Sequence, residues 1–141
     1  MLKILVLITL WLPASLGKEV PHKTIPLKQL KCLYDNVWHE ARGEPFQGKV
    51  AVAKVTLNRV GTFANSICKV VYQKGQFSWT TIKPRGEERI SSIKYCQECI
   101  DASYIANIYT NFSAIHYHSN RVNPKWKLRR LGVVGNHVFY R

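Results

Sequence analysis

The eight residues Trp38-His39-Glu40-Ala41-Arg42-Gly43-Glu44-Pro45 constrain this chain more than any other stretch, because they end one helix and begin the next. Upstream, Leu27, Leu30, Tyr34, Val37 and Ala41 recur at steps of three and four, the spacing of an amphipathic helix. Gly43 supplies a C-terminal stop, and Pro45 disfavours helical geometry at Glu44 while opening a new helix itself. Leu33, Val37 and Glu40 share one i, i+4, i+7 row, so Glu40 falls at the edge of the buried face. Two glutamates thus flank the break in different surroundings. Glu40 lies beside apolar packing at the negative end of its helix, and both effects raise a carboxyl pKa. Glu44 lies at the positive end of the following helix, which favours a carboxylate. Carboxyl groups set apart in this way serve acid/base glycoside chemistry. The plainer alternative is that both are solvated helix-end charges.

The break also sets the order of elements. The first helix is expected from about Leu27 to Arg42 and the second from about Phe46 to Val60, where Val50, Ala53, Leu57 and Val60 form one stripe. Asn65 or Ser66 caps a short third helix through Ile67, Val70, Val71 and Tyr72, closed by Gly75. A polar loop over Ile82 to Gly86 leads to a long helix from about Glu87 to Tyr109. Beyond Asn111 the period changes to two, with Phe112, Ala114, His116 and His118 on one face and Ser113, Ile115 and Tyr117 on the other. Val122 to Arg130 reads as a basic loop holding Pro124 and Trp126, and Gly132 to Tyr140 as one further strand. The expected class is α+β, mainly α with a small β piece, in a single domain.

The first 17 residues stand outside that domain. Lys3, the apolar run Ile4 to Leu12, and Ser15 and Gly17 at the −3 and −1 positions make a secretory signal pattern. The run is shorter than the ~20 apolar residues that span a bilayer. The expected organisation is a signal peptide or signal anchor over 1–17, a linker over 18–26 and the domain over 27–141, with export to the periplasm, envelope or exterior. The formal net charge of +13, with only eight Asp and Glu, suits a polyanionic partner. For an exported monomer that partner is the anionic cell wall or membrane rather than nucleic acid. Four cysteines in a short exported chain suggest disulfides. Cys32 and Cys68 can staple the first helix to the third. Cys96 and Cys99 form a C-x-x-C inside the expected long helix, a poor setting for a disulfide, and no second C-x-x-C supports a zinc reading.

Gln76-Phe77-Ser78-Trp79-Thr80 has no clear period. Its rings could stack on sugar faces while its polar groups hold hydroxyls, or Phe77 and Trp79 could pack in the core. His116 and His118 alternate on one face and, with His137 or His39, could complete a three-ligand zinc site. An H-x-H on a strand is a weak metal signal, and no metal or other cofactor is expected.

In order along the chain, several segments resemble the SleB/CwlJ-type cell wall hydrolases. They are His39-Glu40-Ala41-Arg42-Gly43-Glu44-Pro45, Leu57-Asn58-Arg59-Val60, Val70-Val71-Tyr72-Gln73 and Gln76-Phe77-Ser78-Trp79. His116-Tyr117-His118, Pro124-x-Trp126 and Gly135-Asn136-His137-Val138-Phe139 complete the series, which spans nearly everything from Cys32 to Arg141. Two positions depart from the pattern: Trp38 stands where a tyrosine is expected, and Thr81-Ile82 where many relatives carry an aspartate. Members include spore cortex-lytic, envelope and phage enzymes. The resemblance implies a lysozyme-like fold and cleavage of the peptidoglycan glycan strand by a lytic transglycosylase with one glutamate at a helix end. That residue maps onto Glu40, with Glu44 the other candidate. Substrate contacts are implied for Gln76, Phe77, Ser78, Trp79, Tyr117, His118, Trp126 and His137. The alternatives are a hydrolytic muramidase using Glu40 and Glu44, and a zinc amidase using His116, His118 and His137.

Overall fold

A computed structural model of the chain describes residues 24–81, 96–108 and 111–141. The expected leader and most of the linker lie outside these residues. Three helices come first: α1 (Leu27–Ala41), α2 (Phe46–Arg59) and α3 (Ile67–Val71), followed by a 3-10 turn over Ser78–Thr81. Helix α4 (Gln97–Ile108) and the strands β1 (His116–Ser119), β2 (Arg130–Val134) and β3 (His137–Tyr140) complete the elements among the described residues.

The break between α1 and α2 forms where the sequence places it, by a different device. Left-handed backbone occurs at Gly61, Gly75 and Gly135 among the glycines, so Gly43 is not a left-handed cap. The chain turns instead on a hydrogen bond from the Glu44 N–H to the Ala41 carbonyl, 2.9 Å. Pro45 is extended (φ −54°, ψ 157°), and its carbonyl accepts from the Gly48 and Lys49 N–H groups to begin α2. Ser66, not Asn65, caps α3, its hydroxyl accepting from the Lys69 N–H at 3.3 Å.

Two expectations need correction. The segment Gly132 to Tyr140 is a hairpin rather than one strand: β2 and β3 run antiparallel about a turn at Gly135 and Asn136, with Gly135 at φ 57°. The sheet order is β1-β3-β2, with Tyr117 opposite Phe139 and Ser119 opposite His137. Helix α4 is described from Gln97, which leaves Cys96 outside the helix expected to contain it, and the expected range before Cys96 lies outside the described residues. Cys96 therefore sits just before α4, its carbonyl accepting from the Cys99 and Ile100 N–H groups, and it is bonded to Cys99. Cys32 and Cys68 form the expected staple between α1 and α3.

The core gathers Leu33 and Val37 of α1, Val52 and Val55 of α2, Val70 and Val71 of α3, and Phe139 of β3. A polar knot runs through it. Asn36 donates to Thr56 Oγ1 at 3.0 Å and accepts from the Trp79 indole N–H at 3.1 Å, tying α1, α2 and the 3-10 turn together. Among the described residues no helix is long and apolar enough to cross a membrane.

Candidate active site

Glu40 lies in the last turn of α1, half-buried against the sheet. Alternation along β1 turns Tyr117 inward, and its hydroxyl donates to Glu40 Oε2 at 3.0 Å. Burial pushes the Glu40 carboxyl above its usual range, opposed by the Tyr117 hydrogen bond and the Arg59 charge. Burial and the neighbouring carboxyl push the Tyr117 phenol well above its own, so it stays a proton donor to Glu40.

The end of α2 sets Tyr117 in place. The Asn58 amide donates to the Phe112 carbonyl at 2.7 Å and the Ala114 carbonyl at 2.9 Å, and Arg59 Nε donates to the Ile115 carbonyl at 2.8 Å. These bonds fix the extended approach to β1. Arg59 is 6% exposed, and its Nη1 has no hydrogen-bond partner among the described residues. Sequence reasoning placed neither residue in the site, although both lie within the Leu57-Asn58-Arg59-Val60 segment. A charged residue at the end of a buried stripe was the available signal.

Glu44 faces a different set of groups. Its Oε2 accepts from the Asn136 N–H at 2.7 Å and its Oε1 from the Asn136 side-chain amide at 3.3 Å. A Cβ at Gly135 would come within 2.1 Å of Glu44 Oε2, and one at Gly48 within 3.0 Å of Glu44 Cβ. The carboxylate is thus clasped between the hairpin turn and α2. Beneath it the buried Lys49 ammonium donates to the Glu44 carbonyl and pairs with Glu98 at 2.9 Å. Next to the turn, His137 is buried with its ring 5.0 Å from that of Tyr117. Burial lowers its pKa, the Glu44 charge opposing.

The other expected contacts divide between places. Phe77 and Trp79 take the core-packing alternative, at 4% and 9% exposure, so neither offers an open ring face for stacking on a sugar. Trp79 is covered by the exposed His39 ring, stacked at 4.1 Å and 6°. Gln76 and Ser78 remain accessible beside them. His118 and Trp126 lie on the sheet face opposite Tyr117. There His118 Nδ1 donates to the Ser119 carbonyl, its Nε2 accepts from the Tyr140 hydroxyl, and Trp126 packs edge-on at 5.3 Å.

That division separates the histidines of the zinc alternative, with His116 and His118 on one face and His137 on the other. Among the described residues no three His, Cys, Asp or Glu side chains are grouped to hold a metal ion. The remaining described acids are engaged elsewhere: Asp35 with Lys31, Glu98 with Lys49 and Asp101 with Gln97.

Against known proteins, the profile of the cell wall hydrolase family matches residues 43–140. The spore cortex-lytic enzyme of Bacillus cereus is 25% identical over 131 residues, covering 90% of this chain and 49% of that protein. The chain therefore spans about half the length of that relative. Among solved structures, the catalytic domain of the Bacillus cereus SleB protein has a TM-score of 0.68 at 22% identity, over 84% of this chain and 94% of that one. The catalytic domain of the germination-specific lytic transglycosylase SleB from Bacillus anthracis has a TM-score of 0.61 at 23% identity, over 84% and 98%. The fold is the lysozyme-like one of those domains, mainly helical with a small sheet.

Proposed function

This chain belongs to the cell wall hydrolase family, and from that premise we propose that it cleaves the peptidoglycan glycan strand as a lytic transglycosylase, with Glu40 as its one catalytic carboxyl. The observation that carries this reading is the contrast between the glutamates. Glu40 is desolvated, raised in pKa and held by a phenol, whereas both oxygens of Glu44 are engaged by Asn136.

Tyr117 occupies Glu40 Oε2 and leaves Oε1 to carry the proton. Glu40 gives that proton to the glycosidic oxygen as the bond from muramic acid C1 breaks, and the N-acetylglucosamine side leaves as an alcohol. The resulting carboxylate is stabilised by the Tyr117 hydroxyl and the Arg59 charge. It then takes the proton of the muramic acid 6-hydroxyl as O6 bonds to C1, closing a 1,6-anhydro ring without consuming water. The nucleophile belongs to the bound substrate, so proximity replaces activation of a water.

A hydrolytic muramidase needs a second carboxyl about 5–5.5 Å away when retaining, or about 6.5–9.5 Å when inverting. Glu44 would have to release Asn136 to serve. Mass spectrometry of fragments from purified sacculi separates the readings: anhydro products are one water lighter than hydrolysed ones and have no reducible end. Predominantly reducing-end products would overturn the transglycosylase reading and return Glu44 to candidacy. The zinc amidase predicts cuts between glycan and peptide, with activity lost on chelation and restored by zinc. Prolonged chelation is expected to leave turbidity clearing unchanged. The proposal extends to residues 1–17 as an export signal or anchor that brings the domain to its substrate.

A further inference from the structure

Nine large hydrophobic side chains are exposed among the described residues, and five fall within twelve consecutive positions: Val122, Trp126, Leu128, Leu131 and Val133. The same stretch and the strand end beside it carry Arg121, Lys125, Lys127, Arg129, Arg130 and Arg141, all exposed. No Asp or Glu occurs after Asp101, and no ion pair among the described residues engages these cations.

The arm is built rather than slack. The Val122 N–H donates to the Ser119 carbonyl at 3.1 Å, and Asn123 Oδ1 accepts from the Lys125 N–H at 3.2 Å. Arg129 and Arg141 exchange both backbone hydrogen bonds, at 3.0 and 2.9 Å. Trp126 is anchored against His118 and Tyr140 while 41% of it stays exposed. Strand β2 continues the arm along an outer edge of the sheet.

A hydrated polyanion would neutralise these charges yet leave the aliphatic side chains in water. A lipid interface accommodates both: cations meet headgroup phosphates, while aliphatic groups and an indole enter the acyl boundary. We propose that the connection from β1 to β2, with the outer edge of β2, docks on an anionic phospholipid bilayer. The inference rests on exposure and charge and not on the proposed reaction. Trp126 lies on the sheet face opposite Tyr117 and Glu40, so docking leaves the carboxyl's side of the sheet uncovered.

Cosedimentation of the full chain with vesicles tests this, using equal parts phosphatidylglycerol and phosphatidylcholine against phosphatidylcholine alone. Each variant keeps residues 1–23, so any contribution of that segment is constant. Replacing four charges (Lys125→Gln, Lys127→Gln, Arg129→Gln, Arg130→Gln) should weaken binding to the anionic vesicles on the order of a thousandfold. Leu128→Ser with Leu131→Ser should weaken it about tenfold while leaving binding to soluble polyphosphate unchanged. Wild-type binding by the charge variant would put the membrane contact elsewhere and overturn the proposal. Wild-type binding by the apolar variant would reduce the arm to a polyanion surface and also overturn it. Thermal melting identifies any variant that fails to fold, and Arg121→Gln with Lys125→Gln then takes its place, with a smaller loss expected.

Discussion

The role proposed for Glu40 needs a carboxyl that keeps its proton until transfer, and its surroundings pull both ways. Burial favours the protonated form, whereas Tyr117 and Arg59 favour the carboxylate that follows transfer. Glu40→Gln should lower sacculus lysis by about 10²–10⁴-fold, the usual worth of a general acid. The same variant should not lose stability. Because the folded pKa of Glu40 is raised, its contribution to stability is full below the unfolded value and falls as pH rises through the folded one. Thermal melting should therefore find Glu40→Gln at least as stable as the parent at neutral pH, with the difference shrinking in acid. Tyr117→Phe removes a donor to the carboxylate, so the alkaline limb of the pH–rate profile should move to higher pH. A downward move would show that Tyr117 does not stabilise the ionised acid. The half-buried, helix-end position of Glu40 was legible in the sequence because Leu33 and Val37 share its helix row. Its pairing with Tyr117 was not, since 77 positions separate the two and no local period records that contact.

Among elements, the helices were the readable part. Stripes of three and four, Pro45 and a capping serine mark them locally, and α1, α2 and α3 form within a residue or so of expectation. The hairpin was hidden because Val133, Val134 and Val138 make the segment apolar on both sides of its turn, although Gly135-Asn136 is a hairpin dipeptide. The burial of Phe77 and Trp79 was one of two readings open to the sequence, and no local signal decided it, because the Asn36 amide that receives Trp79 lies on another helix. The turn has a consequence for Glu44. Gly135→Ala would bring a methyl group onto Glu44 Oε2 at a left-handed position, and should destabilise the fold by roughly 1–3 kcal/mol in denaturant titration. Glu44→Gln keeps one oxygen acceptor for Asn136, so it should lose stability while retaining most activity. Loss of activity comparable to that of Glu40→Gln would make Glu44 catalytic.

At the scale of the molecule, composition announced a basic protein and the fold reveals how its charge is distributed. Asp35, Glu40, Glu44, Glu98 and Asp101 all precede the sheet, and the chain beyond them carries cations alone. Sequence could count those cations, but only folding brings Arg141 back beside Arg129 and leaves the arm's aliphatic groups uncovered. The Cys32–Cys68 bond, closing a loop of 36 positions, works at this scale too. Replacing both by serine should lower unfolding free energy by about 2–4 kcal/mol, measured by denaturation under oxidising conditions. The bond also imposes a schedule. In a reducing cytoplasm the helix that carries Glu40 lacks its staple, and the newly made chain is correspondingly easier prey for proteases. Pulse proteolysis should degrade the reduced form faster than the oxidised one. On the export reading proposed above, delay in the cytoplasm would shorten the protein's lifetime, and arrival where thiols oxidise would extend it.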